Sequence, residues 1–280
     1  MIHRIFTALF ILFFWIAESH AQGSKKPNVL FIAIDDLNDW VGFMDGHPQA
    51  VTPHMDALAK RGRNFLNAHC AVPVCSASRA SVMSGVAATT HGSYELGPRY
   101  EELPALKDVP TVQRYFKNHG YTTLTGGKML HHNFNGRLAG DIDQSLGRKR
   151  SPRPKKPMGR PANWSGAWDW GAYPEADAEM ADIQLAQNAA KALKEDFEKP
   201  FFMSVGFFRP HVPLLVPPKW FELYDADKIV LPKNPKSDLD DLPKEVDDAN
   251  KGEDKDNGNK ADGKDNSKDD GKDDSNNNNN

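Results

Sequence analysis

Apolar blocks and segments of helical period alternate along this chain. Residues 28–34 (NVLFIAI) are apolar at every position after the first, which is typical of a parallel strand buried on both faces. Residues 52–62 follow a helical pattern, in which Thr52 and a proline begin the segment, apolar positions share one face and a glycine ends it. The first part of the chain therefore predicts a strand followed by a helix.

The same two kinds of segment return further along. A predicted helix at 111–119 precedes a β-rich run at 121–125, and a predicted helix at 178–198 precedes an apolar strand at 201–205. Regular alternation of helices and strands predicts an α/β layered domain with a largely parallel central sheet.

Both ends of the chain depart from this pattern. Residues 1–21 carry an arginine, an apolar run and a small-x-small cleavage pattern, so we expect a signal peptide and export. An uncleaved anchor is the alternative, but the apolar run is shorter than the ~20 residues of a membrane span. Residues 245–280 are almost free of apolar side chains and predict a disordered polar tail. Residues 22–244 then form one domain.

The charge of the chain limits the kinds of molecule that it is expected to bind. The net charge is -3, and Lys alternates with Asp in the tail, which argues against a nucleic-acid arm. Residues 136–161 are rich in Arg, Lys, Pro and Gly and predict a long surface excursion. Its basic character is compatible with attraction of an anionic polymer, although a solvated loop is the simpler interpretation.

Charged and imidazole side chains follow three of the predicted strands. Because the carboxyl ends of parallel strands meet at one edge of a sheet, we expect these side chains to face one crevice. Carboxylates suit a hard cation, and cationic groups suit a tetrahedral oxyanion. Taken singly, each residue also has a structural explanation, such as a capped turn, a surface lysine or a core histidine. The residues are Asp35, Asp36, Lys128, His131, His132, Arg209 and His211.

The two cysteines, Cys70 and Cys75, lie close together in the sequence. A short-range disulfide is one interpretation, and its small loop would stabilise the fold little. Cys75 also stands at the start of a predicted helix with Arg79 four residues later, an electropositive setting that favours a reactive thiol. No zinc-binding pattern of paired cysteines and histidines is present in the sequence.

The C-x-S-x-R pattern from Cys75 to Arg79 resembles the signature of the type I sulfatases, in which a dedicated enzyme oxidises the cysteine to formylglycine. Other segments resemble further elements of that family in the right order, from residue 26 to about residue 235. The segment around His211 and the L-x-P-P-x-x-F-x-x-L-Y pattern behind it look closest to the iduronate-2-sulfatase branch. The matching segments are 28–36 (first strand and metal pair), 52–62 (first helix), 127–131 (G-K-x-x-H) and 205–213 (next strand and histidine).

The resemblance implies an alkaline-phosphatase-like fold, in which helices flank a largely parallel sheet. It also implies a calcium ion bound by Asp35, Asp36 and the formylglycine made from Cys75. A sulfated carbohydrate is the implied substrate and a formylglycine-generating or other sulfatase-maturing enzyme the implied partner. Export to a periplasmic, extracellular or lysosomal compartment agrees with such a substrate.

The resemblance implies a mechanism in which one hydroxyl of the hydrated aldehyde at Cys75 attacks sulfur. Lys128 and His211, with the metal, neutralise charge on the sulfuryl oxygens. His131 then helps to deprotonate the second hydroxyl, which releases sulfate and restores the aldehyde. Arg79 holds the hydrate in place.

The chain departs from the family pattern in one respect. Sulfatases run further and supply a later Asp followed by His or Asn, which completes the metal shell, and another lysine. No such element follows residue 235. We therefore expect a truncated family domain. The alternatives are an inactive remnant that binds sulfated glycans, or a phosphatase or phosphodiesterase of the same superfamily, although those enzymes usually carry Thr or Ser as the nucleophile.

Overall fold

The computed structural model describes residues 26–132, 136–161 and 166–232. The chain divides into two compact units, and every helix and strand given below belongs to the first, Met1–Arg160 with Ser165–Ile229. Of the second unit, the structure describes only Pro161 and residues 230–232. The expected ends of the signal peptide and of the domain, at residues 21 and 244, lie outside the described residues.

A four-stranded parallel sheet lies at the centre of the first unit. Its strands follow the order β1-β5-β2-β3, and β5 pairs in parallel with both β1 and β2. A separate pair, β4 and β6, is also parallel. The strands are β1 (Val29–Ile34), β2 (Thr122–Gly127), β3 (Gln144–Gly147), β4 (Trp170–Ala172), β5 (Phe201–Phe207) and β6 (Leu214–Val216).

Helices cover both faces of this sheet. None of the helices in the described part of the chain is both long and apolar enough to cross a membrane. The α-helices are α1 (Pro53–Arg61), α2 (Cys75–Ser84), α3 (Ala88–His91), α4 (Val112–Asn118), α5 (Ala181–Ala192) and α6 (Pro218–Phe221). Short 3-10 helices lie at Gly42–Met44, Tyr100–Glu102, Pro104–Leu106, Gly136–Asp141, Gly166–Trp168, Asp177–Glu179 and Ala226–Lys228.

Two apolar clusters hold these layers together. On one face, Met83 of α2 packs in a cluster with Leu106 and Met129, and Phe31 of β1 contacts it. On the other face, Leu185 of α5 packs in a cluster that includes side chains of β2, β3 and β5. Burial of these side chains on both sides of the sheet is the main source of its stability. The predicted α/β layered domain with a largely parallel sheet is confirmed.

The predicted burial of β1 on both faces is wrong. Leu30 and Ile32 are 44% and 46% exposed, while Phe31 and Ala33 on the opposite face pack against the core. The reason is position: among the described strands β1 has only β5 as a neighbour, and α5, which lies on the same face as Leu30 and Ile32, packs over β2, β3 and β5. Helix α1 is also more exposed than its apolar face predicted, since none of its residues is buried.

Two predicted boundaries change in the structure. The predicted helix at 178–198 is shorter, because α5 spans Ala181–Ala192 and turns fill the residues behind it. Residues 136–161 are not only a surface excursion, because they contribute β3 to the central sheet. Leu138 and Leu146 of this segment are buried in the two core clusters. The high content of Arg, Lys, Pro and Gly in the segment hid this short strand.

Candidate active site

The carboxyl end of β1 presents two carboxylates in different surroundings. The backbone N–H of Asp35 donates to the carbonyl of Phe207 at 3.1 Å, which continues the pairing of β1 with β5. Asp35 is 4% exposed, whereas Asp36 is exposed. Asp36 has a left-handed backbone with φ 61°, so the chain turns sharply directly after the strand. One carboxylate is therefore buried and its neighbour faces solvent.

Asp35 is held between two cations. Nη2 of Arg79 lies 2.8 Å from one carboxylate oxygen, and Nζ of Lys128 donates to the other. Arg79 also donates from Nη1 to the carbonyl of Lys128, which ties the two cations together. Burial raises the pKa of Asp35, but hydrogen bonds from Lys128 and Arg79 outweigh it, so this pKa is lowered from its usual value. The Asp35 side chain is therefore charged at neutral pH.

Glycines set the position of Lys128. Its N–H donates to the carbonyl of Gly206 at 2.7 Å, where β2 and β5 end side by side. A Cβ at Gly127 would lie 2.0 Å from the oxygen of Gly206, and a Cβ at Gly206 would lie 2.2 Å from the oxygen of Lys128. Gly127 also has a φ of 67°, which favours glycine. These two glycines allow the close backbone approach that brings Lys128 to Asp35.

Cys75 begins α2 and contacts a histidine. Its Sγ lies 3.2 Å from Nδ1 of His131. Burial, together with the charges of Lys128 and His132, lowers the pKa of His131 to about 4. His131 is therefore neutral at pH 7, so one of its ring nitrogens can accept a proton.

One cleft joins several of the residues that the sequence singled out, although Lys128, His131, His132 and Arg209 are not part of its walls. It has a volume of about 730 Å³, and its walls include Asp35, Asp36, Cys75, Arg79 and His211. Strand ends β1 and β5 and the start of α2 therefore converge here, as the rule for open parallel sheets predicts.

The third strand end supplies His211, and Arg209 supports it. Arg209 donates from Nη1 to the carbonyl of His211 at 2.7 Å, and its own backbone N–H donates to Asp182. Nδ1 of His211 donates to the carbonyl of Val212, which leaves Nε2 for a ligand. Arg209 thus fixes the loop, and His211 is the residue of this pair that lines the cleft.

His132 plays a different part from its neighbour. Its ring packs edge-on against that of His131, with centroids 4.9 Å apart. Burial is also the first cause that lowers the pKa of His132. His132 therefore supports the ring of His131, which is the histidine of the two that contacts Cys75.

Sequence reasoning missed Arg148. This guanidinium donates to the carbonyls of Leu130 and His132 from Nη1 and to that of His131 from Nη2, at 2.8 to 3.1 Å. Burial lowers its pKa to about 10, so it remains charged at pH 7. Arg148 therefore clamps the loop that carries His131. Nothing in the sequence distinguishes it from the neighbouring basic residues of the same segment.

Two further expectations concern metal ligands and the cysteines. Within residues 26–132, 136–161 and 166–232, no group of three or more His, Cys, Asp or Glu side chains is arranged to hold a metal ion. The disulfide interpretation is wrong, because Cys70 and Cys75 are both free thiols. Cys75 is directed to His131 instead, and Cys70 is exposed.

Comparison with known proteins gives one consistent family. The family model described as "Sulfatase" matches residues 27–267. A "Sulfatase" of Formosa agariphila is 38% identical over 234 residues, which cover 78% of this chain and 46% of that protein. "Iduronate 2-sulfatase" of Mus musculus is 28% identical over 234 residues, covering 78% of this chain and 42% of that protein. The chain thus spans about half the length of the curated relatives it matches.

The fold has solved counterparts. A protein solved in complex with its substrate D-glucosamine-2-N,6-O-disulfate superimposes with a TM-score of 0.55 at 20% identity. The match covers 78% of this chain and 41% of that one. At this identity the likeness supports the fold alone, and it agrees with the alkaline-phosphatase-like architecture that the sequence predicts.

Proposed function

Because this chain belongs to the sulfatase family, we propose that it contributes to the hydrolysis of sulfate esters, with Cys75 as the precursor of the nucleophile. The observation that carries the proposal is the cleft that Cys75 shares with Asp35 and Arg79, with His131 3.2 Å from Sγ. The resemblance assigns these residue types to sulfate chemistry, and the fold brings them from distant segments to one place.

We propose that Cys75 is converted to formylglycine by a maturing enzyme. Sγ of the thiol occupies the position off Cβ that an oxygen of the oxidised side chain would take. The hydrated aldehyde carries two hydroxyl groups, so one can attack sulfur while the other later releases sulfate and restores the aldehyde. A thiol or a serine has no second group of this kind. His131 is neutral at pH 7 and lies within hydrogen-bond distance of that position, so it is suited to accept a proton there.

The carboxylates fit a calcium ion as part of a ligand set. Asp35 and Asp36 both line the cleft, and oxygen is the donor that calcium prefers. Arg79 and Lys128 already donate to Asp35, but each carboxylate oxygen keeps a second lone pair for a metal. Since calcium takes about 6 to 8 oxygens, these carboxylates would supply only part of the shell, and water would add further ligands. When bound, the ion would neutralise negative charge on the sulfate group.

The cationic side chains have separate roles in the proposal. Lys128 binds Asp35 through Nζ and keeps further N–H donors, and His211 lines the cleft with Nε2 left for a ligand, so we assign both to sulfate oxygens. Arg79 keeps Asp35 charged and positions the start of α2 against β1. These groups bind and orient an anionic ester before any bond changes.

We propose a sulfated carbohydrate as the substrate and an exported location for the protein. Relatives named for glycan sulfates support the class, among them a protein solved with D-glucosamine-2-N,6-O-disulfate and the iduronate 2-sulfatase of Mus musculus. We also propose that residues 1–21 are a signal peptide and that residues 22–244 form one domain.

The experiment uses the full chain produced with and without a formylglycine-generating enzyme. Hydrolysis of a fluorogenic aryl sulfate is measured with calcium and with EDTA, beside the matching aryl phosphate. Cys75→Ala should abolish sulfate hydrolysis, whereas Cys70→Ala, which removes the exposed cysteine at the edge of the same cleft, should leave most of it. Faster hydrolysis of the phosphate would favour a phosphatase, and an aldehyde at position 75 without turnover would favour a glycan-binding remnant.

A further inference from the structure

The segment that begins at Arg148 is strongly basic. Residues 148–160, here called the basic loop, hold seven Arg and Lys and no Asp or Glu, in a chain whose net charge is -3. Arg153, Lys155 and Lys156 are exposed and form no hydrogen bond or ion pair with the described residues. Their charges are therefore available to an external anion, and none is needed to hold the fold.

These cations line a groove beside the candidate active site. Its volume is about 90 Å³, room for about three water molecules, which is on the scale of one sulfate or carboxylate group. The groove is lined by Arg153, Lys155, Lys156 and Arg160 of the basic loop and by Asp169, Pro213 and Leu215, among others.

The groove is connected to the cleft through His211. Pro213, on its wall, is two residues from His211. Burial lowers the pKa of Arg209, and the charge of Arg153 contributes to that lowering, so these two guanidinium groups lie near each other. Arg209 in turn holds the carbonyl of His211. A ligand in the groove would therefore lie against the same loop that carries a cleft residue.

The basic loop has a fixed backbone at its end. The Asp169 carboxylate accepts backbone N–H groups from Met158, Gly159 and Arg160 at 3.0 to 3.2 Å. These hydrogen bonds compensate the charge of Asp169 and hold the C-terminal end of the basic loop in place. Trp170 packs on Gly159, where an added Cβ would lie 2.2 Å from the indole nitrogen, and is itself 45% exposed. A preorganised loop of cations beside an exposed indole differs from a freely solvated loop.

We propose that this groove is a second anion subsite, which binds a further sulfate or carboxylate group of an anionic glycan whose ester lies in the cleft. The inference rests on the proposed function and deepens it, because it makes a polyanionic chain a better ligand than a single sulfate ester. Arg153, Lys155 and Lys156, which form no hydrogen bond or ion pair with the described residues, suit a repeating anionic polymer, and an indole beside them offers an apolar face to a sugar ring.

The test measures binding of a heparin-derived octasaccharide to the full chain by isothermal titration calorimetry. The triple variant Arg153→Gln, Lys155→Gln and Lys156→Gln should weaken binding by about tenfold or more at low salt. The matched control Lys60→Gln, Lys107→Gln and Lys194→Gln removes the same charge from exposed lysines elsewhere and should change the affinity by less than about twofold. Equal weakening by both triple variants, or no weakening by the first, overturns the subsite.

Two further measurements separate the outcomes. The triple variant should hydrolyse a small aryl sulfate as fast as the unmodified chain, since the groove residues lie outside the cleft. If Cys75→Ala abolishes that hydrolysis while groove variants leave octasaccharide binding intact, the subsite fails and the proposed function stands. If octasaccharide binding depends on the groove but neither the unmodified chain nor any variant hydrolyses sulfate, the subsite stands and the proposed function fails. Single-stranded DNA that binds the groove as tightly as the octasaccharide would overturn a glycan-specific subsite.

Discussion

Arg79 and Asp35 form a buried ion pair, with Nη2 of the guanidinium 2.8 Å from Oδ1 of the carboxylate. Both side chains are almost fully buried, and Lys128 holds the second carboxylate oxygen. Because the pair is shielded from water, removal of Arg79 leaves the buried Asp35 with one cation in place of two. This relationship links β1 to α2 and fixes the geometry of the cleft.

We expect Arg79→Ala to lower the free energy of unfolding by about 3 to 5 kcal/mol, since Asp35 would lose one of its two cations in a buried setting. Lys117→Ala is the matched control, because its ion pair with Asp143 is about one-third exposed at both ends. That substitution should cost less than about 1 kcal/mol. Urea unfolding followed by circular dichroism measures both. Equal effects would show that the buried pair contributes no more than a surface pair.

Arg148→Met should destabilise the chain by about 2 to 4 kcal/mol, because three backbone carbonyls lose a charged donor. The exposed neighbour Lys149 gives the control, and Lys149→Met should change stability by about 0.5 kcal/mol or less. Chemical unfolding of the two variants side by side tests the difference. A stability unchanged by Arg148→Met would mean that Arg148 does not clamp the loop before β3.

Asp36→Asn should remove the effect of calcium on thermal stability without unfolding the protein. Asn tolerates the left-handed backbone that Asp36 adopts, so the substitution changes mainly the charge. Asp45, which among the described residues is the other non-glycine residue with positive φ, is the matched control as Asp45→Asn. Millimolar calcium should raise the melting temperature of the unmodified chain and of the control. A calcium response in Asp36→Asn equal to that of the control contradicts a metal role for Asp36.

Stability should fall on acidification partly through His91. Burial lowers the pKa of this ring, whose Nδ1 accepts from the N–H of Ser93 and whose Nε2 meets Oγ of Ser81. The unfolded state therefore binds a proton at higher pH than the folded state, so this contribution to stability is present above about pH 6.5 and is lost as pH falls below it.

The comparison of His91→Asn with His54→Asn measures that contribution. His54 is exposed and serves as the control. Between pH 7 and 5, the melting temperature of His91→Asn should fall less than those of the control and the unmodified chain. One proton accounts for at most about 1.4 kcal/mol per pH unit. An identical pH dependence in both variants would exclude His91 as a source of acid sensitivity.

Local patterns predicted the elements well where sequence and packing agree. The apolar run of β5 and the capped start of α4, where Thr111 accepts from the N–H of Arg114, lie where the sequence placed them. The convergence of Asp35 and Lys128 followed from the rule that parallel strands end at one edge. These predictions needed only short-range signals and one topological rule.

Other features depend on contacts that no local pattern contains. Strand β3 has four residues in a basic segment, and its place beside β2 depends on the burial of Leu146. The exposure of Leu30 follows from which strands lie beside β1, and the role of Arg148 follows from the path of the loop that it clamps. The sequence shows that these residues are present but not which of them stabilise the fold, because the contacts that decide this form only in the folded chain.

The most direct test of the central claim is mass spectrometry of the peptide that contains Cys75, from the full chain produced together with a formylglycine-generating enzyme. The account predicts that Cys75 is converted to the aldehyde, while Cys70 in the same preparation remains a thiol. A thiol at Cys75 in protein whose co-produced enzyme converts a known sulfatase would contradict the account, because the proposed nucleophile would not form.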